Sequence, residues 1–262
     1  MMKNKDYLKT TAQWEGERLW EIYGISKPEE LCLEDIALAR GVIVTEGPLR
    51  GMDARLIRNG NHGFIRIKED IPENGRKRFA TAHEIGHWEL RKDISQLFEC
   101  TEKDMIAKYK GSPEEIEANY FAAGLLMPTK IFTANMAGLP MSIDTLRKLS
   151  DMFLTSLTAT AFRYVELSGD YCAVVSSAKG KIRWCRGSIG FESYFDIPSG
   201  QKLSKDTVAG ELLEGKVSHT ENHGEVDISA WSEKNGSDES IFIEESFYMP
   251  QYDQVFTLLH LP

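Results

Sequence analysis

Cysteine is scarce and scattered in this 262-residue chain: Cys32, Cys100, Cys172 and Cys185 form no C-x-x-C pair. That spacing argues against a disulfide framework and reads as reduced thiols in a cytoplasmic protein. No apolar run approaches the length of a transmembrane span. The opening Met-Met-Lys-Asn-Lys-Asp leads into no apolar stretch, which predicts no secretory signal. An excess of basic residues is missing as well. With 31 Lys and Arg against 40 Asp and Glu, the net charge is −9, which opposes generic attraction to nucleic acid but leaves a local basic face open. Internal repeats and low-complexity tracts are lacking. What remains is the composition of an ordinary globular protein, long enough for one large domain or two to three small ones.

Against that plain background, His83-Glu84-Ile85-Gly86-His87 stands out as H-E-x-x-H. Six histidines in the whole chain make a chance match rare, on the order of 0.01. Residues i and i+4 share a helix face, so both imidazoles can reach one cation. Glu84, between them, is placed to act on water at that cation, the arrangement needed for zinc-assisted hydrolysis of an amide. Phe79, Ala82, Ile85 and Trp88 recur at helical spacing, predicting a helix over 76–92. Gly86 costs such a helix about 1 kcal/mol against alanine, so a close neighbour is expected there. His219 and His223 repeat the four-residue spacing among Ser, Asn and Gly without apolar periodicity, and read as loop.

A catalytic zinc usually takes three protein ligands and leaves one position for water. The metzincin extension would need glycine at 90 and histidine at 93, where this chain has Leu90 and Asp93. The third ligand is therefore sought on a second helix, predicted over 112–127. Ser112 can cap it, Pro113 suits its first position, Glu115 completes a capping box, and Pro128 stops it. On a helical wheel Glu117 falls within the apolar arc, whereas Glu115 points away and Glu114 lies at the border. A core-facing carboxylate needs a compensating charge, which makes Glu117 the expected third ligand. The blander reading pairs Glu117 with an arginine or lets it snorkel to water. Tyr109, Tyr120 and His62 are open choices for stabilising an oxyanion.

The rest of the chain divides by periodicity. Helices are expected over 6–23 and 28–40, then strands over 42–45, 53–58 and 63–68, with Asn59-Gly60-Asn61 as a hairpin turn. A sheet followed by the H-E-x-x-H helix and a second ligand helix is the layout of zincin peptidases. In that layout 63–68 is the candidate edge strand for an extended substrate. Residues 141–167 read as two short helices joined by a tight turn, resembling helix-turn-helix. Their six charges, three of each sign, weigh against direct DNA binding. From 168 the pattern turns to strands over 171–176, 181–185, 240–244 and 255–261. A long polar loop is expected at 214–239, and Cys172 could face Cys185 across a hairpin. The expected class is α+β: a zincin-like metallopeptidase domain with a small antiparallel sheet (1–140), a helix-turn-helix-like segment (141–167) and a β-rich C-terminal domain (168–262).

The chain resembles the ImmA/IrrE metallopeptidases of bacteria and their mobile elements. Ala82-His83-Glu84-Ile85-Gly86-His87 and the run from Glu117 to Pro128 carry the resemblance. It extends into Glu225 to Trp231, Glu244-Glu245-Ser246 and Tyr252 to Leu261. It implies zinc ligation by His83, His87 and Glu117; by ligand type the same set can also accept Mn2+ or Fe2+. It further implies catalysis by Glu84, a sensing C-terminal region, and cleavage of a helix-turn-helix repressor protein that releases stress or mobile-element genes. Two rival expectations are a transcription regulator with a structural or vestigial metal and a non-hydrolytic signal-binding module. No membrane partner is expected.

Overall fold

The computed structural model describes residues 2–91, 98–100, 112–215, 220–232 and 240–262. No described helix is long and apolar enough to cross a membrane. The chain divides into two compact units, Met1–Ala137 with Lys148–Ala159, and Gly138–Arg147 with Thr160–Pro262. Helix and sheet occur in both, as an α+β chain requires.

The first unit opens with α1 (Met2–Tyr23) and α2 (Leu33–Ala39), then strands β1 (Val42–Gly47), β2 (Ala54–Asn59) and β3 (His62–Lys68). Asn59 pairs with His62, so the hairpin turns on Gly60 and Asn61, with Gly60 at φ +58°. The H-E-x-x-H helix follows as α3 (Asn74–Leu90), then β4 (Phe98–Cys100), α4 (Pro113–Leu126) and α5 (Thr129–Met136). Strand order is β1-β3-β2-β4. β2 runs antiparallel to β3 and β4, but β1 joins β3 in parallel, so the sheet is mixed. The candidate substrate strand needs correction. β3 is hydrogen-bonded on both sides and offers no free edge; β1 and β4 are outermost among the described strands. Alternation of Ile65 and Ile67 inward with Phe64 and Arg66 outward identifies a half-buried strand but not its place in the sheet.

Glycine sets how closely α1 and α4 approach. A Cβ on Gly16 would stand 2.3 Å from the Phe121 carbonyl oxygen, and one on Gly124 would stand 2.2 Å from that of Gln13. Backbone meets backbone at this crossing, and only glycine permits it. Trp20 fastens the contact by donating Nε1–H to the Leu125 carbonyl at 2.7 Å. Glu17 then accepts from the Thr129 amide and hydroxyl, satisfying the first turn of α5. At Gly86, the expected close neighbour is the Phe121 ring, 3.1 Å from where a Cβ would sit. One small residue on α3 and two at the α1–α4 crossing thus hold three helices in register.

Residues 141–167 form α6 (Ile143–Phe153) and α7 (Leu157–Leu167), joined through Leu154 at φ +51°. They do not stand apart as a unit, because Lys148–Ala159 counts with the first and the flanking residues with the second. In the second unit, β5 (Cys172–Ala178), β6 (Lys181–Gly187), β7 (Glu221–Asp227), β8 (Ile241–Met249) and β9 (Gln254–His260) form an antiparallel sheet ordered β6-β5-β9-β8-β7. Lys179 and Gly180 close the β5–β6 hairpin, both at positive φ. Cys185 faces Val175 rather than Cys172, so register does not set the two thiols opposite one another.

The expected polar loop at 214–239 contains β7, which pairs along its length with β8. Its backbone supplies the pairing while its side chains stay largely exposed, so apolar alternation is too weak to announce it. His223 lies on this strand, not on a loop; His219 falls outside the described residues. The apolar core of this unit centres on Phe191, Trp231, Phe242, Val255 and Leu259. Glu244 is buried in it, accepting from the Ala209 amide, Trp231 Nε1–H and the Ser246 hydroxyl. Burial raises its carboxyl pKa and these donors oppose that rise.

Replacing Gly124 by alanine is expected to destabilise the fold by about 1–3 kcal/mol, because the α1 backbone must give way. Gly169→Ala, with nothing within 4 Å of the added methyl, is expected to stay within about 0.5 kcal/mol. Urea unfolding followed by circular dichroism compares the two.

Candidate metal centre

α3 is buried on every side from Ala80 to Trp88, which is unusual for a helix carrying two histidines and a glutamate. Its burial puts His83, Glu84 and His87 at no more than 1% exposure. Nε2 of His83 lies 3.0 Å from Nε2 of His87. The Glu115 carboxylate on α4 closes the group, with Oε2 3.1 Å from His83 Nε2 and Oε1 3.2 Å from His87 Nε2. Among the described residues, these three side chains form the one cluster of possible metal-binding groups.

The separations test the fit of a cation. A tetrahedron built on bonds of about 2.0 Å has edges of about 3.3 Å, close to all three distances. Two imidazole nitrogens and a carboxylate oxygen also suit zinc by type. Glu84 supplies the independent test. Both of its carboxylate oxygens are buried and without a hydrogen-bond partner. Burial, reinforced by the negative charge of Glu115, pushes its carboxyl well above the ordinary range. A buried, unpartnered carboxylate beside three converging donors is the environment that a divalent cation would relieve.

Glu115 and His87 shift in opposite senses. Burial raises the Glu115 carboxyl, but hydrogen bonds and charge from His83 and His87 prevail and hold it far below its usual range. Burial lowers His87, opposed by its hydrogen bond to Glu115. A low carboxyl pKa and a low imidazole pKa both favour the forms that ligate metal, carboxylate and neutral imidazole.

Glu117, expected as the third ligand, is not in this cluster. It forms an ion pair with Arg91, as the blander reading supposed. Burial raises its carboxyl and the Arg91 charge pulls the other way. The wheel misleads because α4 is buried on every side from Ala118 to Leu126, with α1 and α3 both packed against it. An apolar arc then marks no single direction. Positions 115 and 117 differ by about 200° around the helix, so only one can face the imidazoles. The capping role assigned to Glu115 is also only partly met. Its amide donates to Ser112 Oγ at 3.4 Å, while its carboxylate goes to the histidines.

Asn119 lies in the run from Glu117 to Pro128, but the sequence reading gave it no role. It is 2% exposed, lies one turn after Glu115, and has Oδ1 2.9 Å from Nδ1 of His83. The available signal was the i,i+4 spacing of Glu115 and Asn119, which sets both on one face of α4. Of the candidate oxyanion partners, His62 sits at the exposed start of β3 and Tyr120 is buried on α4; Tyr109 lies outside the described residues.

Glu115→Ala is expected to weaken zinc binding by well over tenfold, whereas Glu117→Ala should leave it within about threefold. Metal content of the purified variants and competition with a chromogenic chelator measure both.

The curated proteins offer no match to the chain. Among solved structures, a Mycobacterium tuberculosis transcriptional regulator is similar in fold. Its TM-score is 0.62 at 12% identity, covering 95% of this chain and 76% of that one. Residues 37–164, which contain α3, α4 and the whole histidine–glutamate cluster, match the profile described as the IrrE N-terminal-like domain. That match agrees with the ImmA/IrrE resemblance over those residues and marks them as a domain of metallopeptidase type.

Proposed function

We propose that this protein is a zinc-dependent endopeptidase acting on a protein substrate. The observation that carries the reading is the convergence of His83, His87 and Glu115 beside the buried, unpartnered carboxylate of Glu84. A zinc ion held by those three residues would supply Lewis acidity, lowering the pKa of water towards about 7 and polarising a carbonyl. Glu84 is the general base. It lies about 60° around α3 from His87, and the charge of Glu115 acts on its carboxyl. It takes a proton from the attacking water and returns it to the departing amine nitrogen, which lets the amide C–N bond break. The upward push on its carboxyl makes it a stronger base than an exposed glutamate.

The substrate strand we assign to the outer edge of β4, which has no second partner among the described strands. α3 packs on β2, β3 and β4, so β4 is the outer strand nearest the metal helix. An extended peptide pairing there gains main-chain hydrogen bonds whatever its side chains. As substrate we propose a helix-turn-helix repressor whose cleavage releases stress or mobile-element genes. The resemblance in sequence to the ImmA/IrrE family supports that choice.

A regulator that binds DNA without hydrolysis is the second reading, favoured by the fold likeness to a transcriptional regulator. A purely structural zinc would take four protein ligands, whereas three groups converge among the described residues. It would also have no use for a buried glutamate at position 84.

Glu84→Gln is expected to retain zinc while peptide cleavage falls by about 10²–10⁴-fold. Incubation with the candidate repressor and mass measurement of the fragments reads the loss; cleavage equal to wild type removes the assignment. Zinc should also stabilise the first unit, since its ligands lie on two different helices. At free zinc 100-fold above Kd the gain is about 2.7 kcal/mol, and a chelator should reverse it in a thermal melt.

A further inference from the structure

We infer that Asn119 is the positioning residue of the metal centre: its side-chain oxygen fixes the ring of His83 with Nε2 turned to the cation site. This rests on the proposed metal site and adds to it a residue that never touches the metal. His83 is held at both ring nitrogens by α4. Glu115 meets Nε2 at 3.1 Å and, one turn later, Asn119 Oδ1 meets Nδ1 at 2.9 Å. Residues i and i+4 on α4 thereby grip one imidazole that itself belongs to an i, i+4 pair on α3.

The hydrogen-bond chemistry sets the tautomer. A neutral imidazole carries one N–H and one lone pair. When the amide oxygen accepts from Nδ1–H, the lone pair is on Nε2, the nitrogen that faces His87 and Glu115. Were the amide turned, its NH2 would donate to Nδ1 and the proton would be forced onto Nε2, where it blocks ligation. Burial sharpens the choice. Asn119 and His83 are 2% and 0% exposed, so water is a poor substitute for the lost acceptor. Aspartate can replace this asparagine in the role because it also offers an acceptor; leucine, of similar size, cannot.

The test uses the full-length protein with zinc as the probe. Asn119→Leu is expected to weaken zinc binding by about 10–100-fold by chelator competition, and Asn119→Asp to keep it within about threefold or tighten it. In 15N-histidine spectra of the zinc-loaded protein, the His83 Nδ1 proton should be present and slow to exchange in wild type and Asn119→Asp. In Asn119→Leu it should exchange rapidly. Wild-type affinity together with an unchanged Nδ1 proton in Asn119→Leu overturns the inference and leaves the metal site standing. Should Asn119→Leu fail to fold by circular dichroism, Asn119→Asp decides: retained affinity with a protected proton supports the role, and a tenfold loss overturns it. A wild-type protein that takes up no zinc overturns the metal centre itself, and this role falls with it.

Discussion

The packing of α3 against α4 places two buried imidazoles and a half-buried carboxylate at about 3 Å from one another. Three polar ends in such a place are costly unless they serve one another or a common ion. Their geometry depends on how closely the helices approach. Gly86 lets α3 lie against Phe121 of α4, while Gly16 and Gly124 let α1 close on the opposite side. Small residues therefore fix the spacing, and the spacing fixes the site. Without that constraint, neither the Glu115 contacts nor the grip of Asn119 on His83 would form.

Charge is distributed so that four buried or half-buried carboxylates of this unit have distinct fates. Glu115 is held ionised by two imidazoles, and Glu117 meets Arg91 at the end of α3. Asp53 accepts from Arg76, which ties the sheet to the first turn of α3. Glu84 alone among these acids has both oxygens buried without a partner. An acid so placed, adjoining three convergent donors, is better suited to moving protons than to holding the fold together. The contrast with Glu244 in the second unit is instructive. That carboxylate is equally buried but receives three donors, as a structural group should.

Much of the fold was legible because local rules agreed with it. The H-E-x-x-H helix, the Ser112 and Pro113 start and Pro128 stop of α4, and the turn at Gly60 and Asn61 all follow from capping, periodicity and turn chemistry. Long-range pairing was not legible. Alternation in β3 says that one face is buried, but not that strands lie on both of its edges. β7 was hidden for a related reason, since its order comes from main-chain bonds to β8 and its side chains carry little apolar pattern.

By itself, the sequence determined that two histidines four residues apart share a helix face with a glutamate between them, and that a second helix follows with acids in its first turn. Only the tertiary structure decided which acid faces the histidines. Helical periodicity reports an angle around one axis, but not the direction from which a neighbouring helix approaches. Because α4 is enclosed by α1 and α3 together, its apolar arc pointed to neither, and the choice of Glu115 over Glu117 was made by packing.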